Sequence, residues 1–160
     1  MKTSQNGINL IKQSEGCKLK QYYCSANKST IGYGTTILPN GKEVPADSIC
    51  TIDEAIMFLK HDLGVFENGV NKFVTVPINQ NQFDALVCFT YNVGLGALKS
   101  SSLLRKININ PNDESIKDSF LAYSKAKVKG VLTVLKGLQT RREKEANLYF
   151  AIIWKHTLYL

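Results

Sequence analysis

The chain of 160 residues predicts an α+β fold, mainly helical, with a small antiparallel sheet lobe and a helical lobe joined by one long helix. Three stretches carry that expectation. Between about residues 17 and 50 the texture is strand and turn: Tyr22-Tyr23, Thr30-Ile31, paired glycines, and the turn Pro39-Asn40-Gly41. Thr51-Ile52-Asp53-Glu54 then reads as a capping box, and behind it Ala55, Ile56, Leu59, Leu63, Phe66 and Val70 recur at helical spacing. Residues 80–92 are apolar nearly all round (Phe83, Ala85, Leu86, Val87, Cys88, Phe89, Tyr91), as a buried central helix requires.

The other elements follow the same logic. Residues 4–15 read as a short helix with Ile8 and Ile11 on one side, and Gly16 is placed to cap its C-terminus. The long helix after Thr51 spans roughly five turns at 3.6 residues each. Shorter helices are expected at about 100–108, 112–124 and 137–153, separated by Gly94, Pro111 and Gly130. No repeat, linker or low-complexity segment divides the chain, so it reads as a single domain over 1–160. Its sheet lobe covers about 16–50 and its helical lobe about 72–160. A cleft between two such lobes suits an extended ligand.

Composition narrows the function classes. A hydrophobic content of 44% with 21% charged residues excludes a disordered chain. The net charge of +7 favours a polyanionic partner without choosing among nucleic acid, anionic membrane and acidic cell-wall polymer. No stretch approaches the roughly 18 apolar residues of a membrane span, so stable membrane insertion is not expected. Residues 1–10 hold no apolar run of signal-peptide length, which implies a start in the cytoplasm. Cys17, Cys24, Cys50 and Cys88 form no CxxC pair, and His61 and His156 have no ligand spacing, so neither a metal nor a cofactor is expected.

The chemistry is concentrated near the start. Glu15 closes the first helix, Cys24 follows after eight intervening residues, and Thr30 opens a Gly-aromatic-Gly hairpin, Thr30-Ile31-Gly32-Tyr33-Gly34. This order resembles the active-site segment of the phage-type lysozymes, the glycoside hydrolase family 24 endolysins. Gln82-Phe83-Asp84-Ala85-Leu86 through Phe89-Thr90-Tyr91-Asn92-Val93-Gly94 is similar to the family's central helix and the turn after it. Gly137-Leu138-Gln139-Thr140-Arg141-Arg142-Glu143-Lys144-Glu145 resembles its Gly-Leu-x-x-Arg-Arg-x-x-Glu segment. The likeness covers roughly residues 8 to 150 in three blocks in the family's order.

The resemblance implies a lysozyme-like fold and a muramidase. Such an enzyme hydrolyses the β-1,4 bond between N-acetylmuramic acid and N-acetylglucosamine in peptidoglycan and needs no cofactor. It implies Glu15 as proton donor, Cys24 and Thr30 as holders of water or nucleophile, and Arg142, preferred over Arg141, as the partner of Glu15. Tyr33, Tyr91 and Asn92 are candidate substrate contacts. A monomer is expected, with bacterial peptidoglycan as partner rather than nucleic acid, kept in the host cytoplasm until it is released to the wall. Two departures stand out: Cys24 where the family more often has Asp, and Thr35 where it usually has His after the second glycine. Two rivals stay open: a lytic transglycosylase on the same substrate, in which the sugar's own 6-hydroxyl attacks, and a non-catalytic basic protein that binds glycan or nucleic acid.

The bland readings are equally specific. Cys17, Cys50 and Cys88 read as packing residues, Lys125, Lys127 and Lys129 as a solvated loop edge, and Trp154 as a tail residue packed back on the helical lobe.

Overall fold

A computed structural model describes residues 1–152. Helix α1, Gln5–Glu15, is capped by the Ser4 side chain, which accepts from Asn6 N, and stopped by Gly16 at φ 68°. Strand β1, Lys18–Tyr23, runs antiparallel to β2, Ser29–Gly32, with an irregularity between Lys18 and Tyr22. Isolated bridges at Lys20↔Ile49, Ile31↔Thr35 and Ile37↔Glu43 complete a small sheet region. The Pro39-Asn40-Gly41 turn closes with Gly41 N donating to Leu38 O at 2.8 Å.

Helix α2, Ile52–Phe73, makes both capping-box bonds between Thr51 and Glu54 and at 22 residues runs about six turns, one more than expected. It buries Ala55, Leu59, Leu63 and Val70 along one face. Helix α3, Gln80–Val93, buries every residue from Gln82 to Thr90 and is the centre of the molecule. Around it lie α4, Leu95–Ser100, α5, Ser102–Ile109, α6, Ile116–Leu121, and α7, Lys136–Tyr149. Phe89 on α3 packs edge-on against Phe120 and Tyr123, at 5.5 and 5.0 Å between ring centroids. The architecture is thus the mixed, mainly helical α+β fold the sequence predicts.

The helix anticipated at about 100–108 is α5, and the short α4 before it was not anticipated; the Ser101 hydroxyl between them caps α5 through Leu104 N. One expectation needs correction. The basic stretch read as a loop edge is a hairpin, with β3, Lys125–Val128, antiparallel to β4, Val131–Val134. Lys129 and Gly130 turn it at φ 48° and 84°, the two positive values of a type I′ turn. The Trp154 expectation lies outside the described residues. No helix among the described residues is long and apolar enough to cross a membrane.

The N-terminal segment decides where α1 ends. Glu67 on α2 accepts from Lys2 Nζ, Thr3 N and Thr3 Oγ1, each at 2.8 Å. Asp84 on α3 accepts from Ser4 N at 2.9 Å and from Ser4 Oγ. Both carboxylates hold the first turn of α1 against the core, and eleven helical residues later the chain presents Glu15. A Cβ at Gly7 would lie 2.6 Å from Thr3 Cγ2 and 2.9 Å from Cβ and Cγ of Asp84. Gly7→Ala should therefore lose stability. The intrinsic helix gain of about 1 kcal/mol is set against overpacking of about 1–3 kcal/mol at the carboxylate that anchors Ser4. A lowered urea midpoint at unchanged slope is the expected readout.

Candidate active site

Glu15 is the last residue of α1, and its carboxylate is partly open, with 23% of the side chain exposed. Its Oε1 accepts from Arg141 Nη1 at 2.5 Å. The same guanidinium donates through Nε to Glu145 Oε1 and through Nη2 to the Cys88 carbonyl, both at 3.1 Å. Burial works against the charge of Arg141, but its surroundings, the carboxylates of Glu15 and Glu145 among them, outweigh burial and strengthen its hold on the proton. Cys88 is pushed up by burial and by Glu145, so it remains a neutral thiol and completes the pocket without adding charge.

The partner of Glu15 is Arg141, not Arg142, and this corrects the sequence reading. Adjacent helical residues diverge by about 100°, the consequence of 3.6 residues per turn. Arg142 shares the fully inward stripe of α7 with Ala146 and Tyr149. It is entirely buried, lies 5.0 Å from the Phe89 ring centroid, and donates from Nη2 to Glu145 Oε1 at 3.1 Å and Asn92 Oδ1 at 2.8 Å. Arg141 sits on the neighbouring stripe that reaches the end of α1.

The thiol and the hydroxyl come together in the sheet lobe. Cys24 follows β1 and begins a tight turn, with Asn27 N donating to its carbonyl at 2.8 Å and its own N–H donating to Lys28 O at 3.0 Å. Thr30 is 2% exposed, and its hydroxyl donates to the same Lys28 carbonyl at 2.8 Å. The backbone N–H of Lys28 and then that of Ala26 hold the Cys24 thiol below its ordinary range. Tyr22 stands within electrostatic reach of both Cys24 and Glu15, and burial and then those two charges push its phenol up. Sequence reasoning had left Tyr22 aside. Its place one step before the Tyr23-Cys24 end of the strand was the available signal.

Two cavities border this centre. One, of about 600 Å3, is lined by Glu15, Asn92, Lys136, Thr140, Arg141 and Lys144, among others. The second, of about 340 Å3, lies between Gly34, Thr36, Ile37, Asp62, Phe66 and Tyr91. Tyr91 and Asn92 thus face space. Tyr33 does not: its ring is 5% exposed in the core, and its carbonyl accepts from Tyr91 Oη at 3.0 Å. Among the described residues no group of three or more His, Cys, Asp and Glu could hold a metal ion.

With this geometry in view, comparisons with known proteins are decisive. The family model "Phage lysozyme" matches residues 12–145. The chain belongs to the phage lysozyme family. As a phage lysozyme it is a lysozyme-type glycoside hydrolase. It is 36% identical over 149 residues to the endolysin of Acyrthosiphon pisum secondary endosymbiont phage 1, covering 93% of this chain and 98% of that protein. It is 42% identical to the endolysin of Bacillus phage B103, of which it spans 54% and which covers 93% of this chain. Among solved structures, the endolysin from Escherichia coli O157:H7 phage FAHEc1 superposes with a TM-score of 0.86 at 37% identity, covering 94% of each chain. The muramidase domain of SpmX from Asticaccaulis excentricus superposes at 0.85 with 30% identity, covering 94% of this chain and 99% of that one.

The position where phage lysozymes usually carry His has its own local solution. Thr35 Oγ1 donates to Asp62 Oδ2 at 2.6 Å, joining the sheet region to α2 beside the cavity of Tyr91. Burial raises the Asp62 carboxyl above its ordinary value, and the hydrogen bonds of Thr35 and His61 only partly offset it. The folded state then binds protons more readily than the unfolded chain, so this group lowers stability as pH rises through the raised value. Asp62→Asn keeps an oxygen for Thr35 and removes the buried charge. The expected result is a higher melting temperature at pH 7. That gain should shrink as pH falls below the ordinary carboxylate range, where both forms are neutral. Thermal unfolding at a series of pH values measures it.

Proposed function

We propose that this chain is a muramidase endolysin in which Glu15 protonates the glycosidic oxygen while Cys24 and Thr30 hold the attacking water. One observation carries the reading: the Glu15–Arg141 pair leaves one carboxylate oxygen free at the wall of an approximately 600 Å3 cavity. Arg141 fixes Oε1, so Oε2 is the atom that meets substrate. The substrate is the β-1,4 bond between N-acetylmuramic acid and N-acetylglucosamine, and the site of action is the bacterial cell wall. In the reaction the proton of Glu15 passes to the leaving oxygen as the C–O bond breaks. Water adds to the anomeric carbon and gives its proton to the Cys24 sulfur, and solvent exchange restores both groups. The Thr30 hydroxyl spends its hydrogen on the Lys28 carbonyl, so its remaining lone pairs accept from that water. Tyr91 and Asn92 line the glycan path.

The attacking group, water rather than a sugar hydroxyl, is what distinguishes this reading from a transglycosylase. Hydrolysis releases a new reducing end, whereas attack by the sugar's own 6-hydroxyl does not, and product analysis on purified peptidoglycan reads the difference. Glu15→Gln preserves shape and the contact to Arg141 but has no proton to give. Its turnover should fall by about 10²–10⁴-fold with melting little changed. More than a tenth of native turnover would remove Glu15 from the reaction.

Cys24 offers a graded test. Cys24→Asp supplies the family's commoner carboxylate and should keep substantial turnover. Cys24→Ala leaves neither base nor hydrogen-bonding group and should lose much more. Alkylation with a bulky reagent should block lysis through Cys24, while Cys50 and Cys88 are buried and react slowly. Cys17 is partly exposed like Cys24, so the modified residue has to be mapped. An Ala variant as fast as the native enzyme would make the thiol a bystander.

A further inference from the structure

Arg142 was expected beside Glu15 and instead performs a different task. Its guanidinium is fully buried, stacked near Phe89 and tied to Glu145, and its Nη2 meets the side chain of Asn92 at 2.8 Å. A guanidinium only donates, so the atom of Asn92 turned toward it must be the oxygen. The amide is thereby locked in one of its two orientations. Its NH2 group points away from Arg142 and forms no hydrogen bond to a described residue. Asn92 is exposed near the end of α3 and lines the cavity that holds Glu15.

We propose that Asn92 is a specificity-determining residue that donates to the carbonyl oxygen of a substrate acetamido group, and that Arg142 is the positioning residue that fixes the donor. The proposal rests on the muramidase reading and names the chemical group that reading leaves unassigned. A sugar hydroxyl both donates and accepts, so either amide orientation would serve it. Only a one-way acceptor such as a carbonyl benefits from a locked NH2. The cavity wall agrees, since Lys136, Arg141, Lys144 and Thr140 line it together with Asn92, against the one carboxylate of Glu15. A de-N-acetylated sugar would bring an ammonium into that cationic wall, with no acceptor for the amide. Sites built around a buried or fixed hydrogen bond reject the analogue that lacks it far more strongly than apolar pockets reject a missing methylene.

The test compares soluble glycan chains, fully N-acetylated or chemically de-N-acetylated, as substrates for the native enzyme, Asn92→Asp and Arg142→Lys. The aspartate keeps an oxygen for Arg142 and loses both donors. The native enzyme should favour the acetylated chains by about 10–100-fold in kcat/KM. In Asn92→Asp that ratio should collapse toward one or invert, because a carboxylate pairs with the ammonium. A change in the ratio cannot arise from a general effect on Glu15, which acts on both substrates alike. Arg142→Lys, checked for folding by circular dichroism, should raise KM for acetylated chains more than it lowers kcat. If it fails to fold, the Asn92→Asp ratio alone decides. A native enzyme without acetyl preference, or an Asn92→Asp ratio equal to the native one, overturns the proposal. Calorimetric binding of the acetylated chains, run in parallel, separates the two readings. Preferential binding without cleavage sinks the muramidase reading and keeps the Asn92 contact, whereas cleavage without preference does the reverse.

Discussion

Everything at the centre of this molecule depends on one guanidinium shared between two carboxylates. Arg141 bonds Glu15 at the end of α1 and Glu145 on its own helix, and its remaining amine meets the Cys88 carbonyl of α3. With Arg142 also on Glu145, two cations face two anions, and the cluster carries no net formal charge. That balance is what makes burial tolerable. A buried ion pair gives little net stability over apolar packing, but removing one partner costs about 3–5 kcal/mol because the other is left uncompensated. The cluster therefore acts less as glue than as a jig, fixing three helices relative to one acid.

Much of the fold was legible in the sequence, and the failures have physical causes. The Thr51–Glu54 capping box, Gly16 and the all-round apolar α3 are local signals, and local signals survive folding. The Arg141/Arg142 choice was not local, yet a cue existed. Arg142 precedes Ala146 and Tyr149 by four and seven residues, the spacing of an inward stripe, while Arg141 precedes Glu145 by four. Tyr33 misled because the β2 region is buried on both faces, from Thr30 to Tyr33, which erases the alternation that marks an exposed side. The Lys129-Gly130 hairpin was missed because its strands are nearly all exposed, so no apolar stripe announced them.

The free thiols show how far environment governs one functional group. Cys88 lies in the core beside Glu145 and is held as a neutral thiol by burial. Cys24 lies at the mouth of a turn whose amides face its sulfur, and those donors favour the thiolate. Residue type alone left the usual fate of a free cysteine, a small buried hydrophobe, open for both. What separates them is position: Cys24 precedes the turn at Asn27, φ 56°, and is partly exposed, whereas Cys88 is buried.

An acid on α1 and a thiol in the sheet lobe can cooperate only if the lobes keep their spacing, since misplacement by about 1 Å can cost about 10²-fold in rate. Two hydrogen bonds span that junction. Tyr91 Oη reaches from α3 to the Tyr33 carbonyl, and Thr35 Oγ1 reaches from the sheet region to Asp62 on α2. Both flank the same cavity, so groups that line it also set its width. A hydroxyl at 2.6 Å from a carboxylate whose pKa burial has raised keeps the strut in place, with His61 Nδ1 3.7 Å from the other carboxylate oxygen. The desolvation cost at this strut falls on Asp62, while Glu15 draws on a guanidinium that it shares with Glu145.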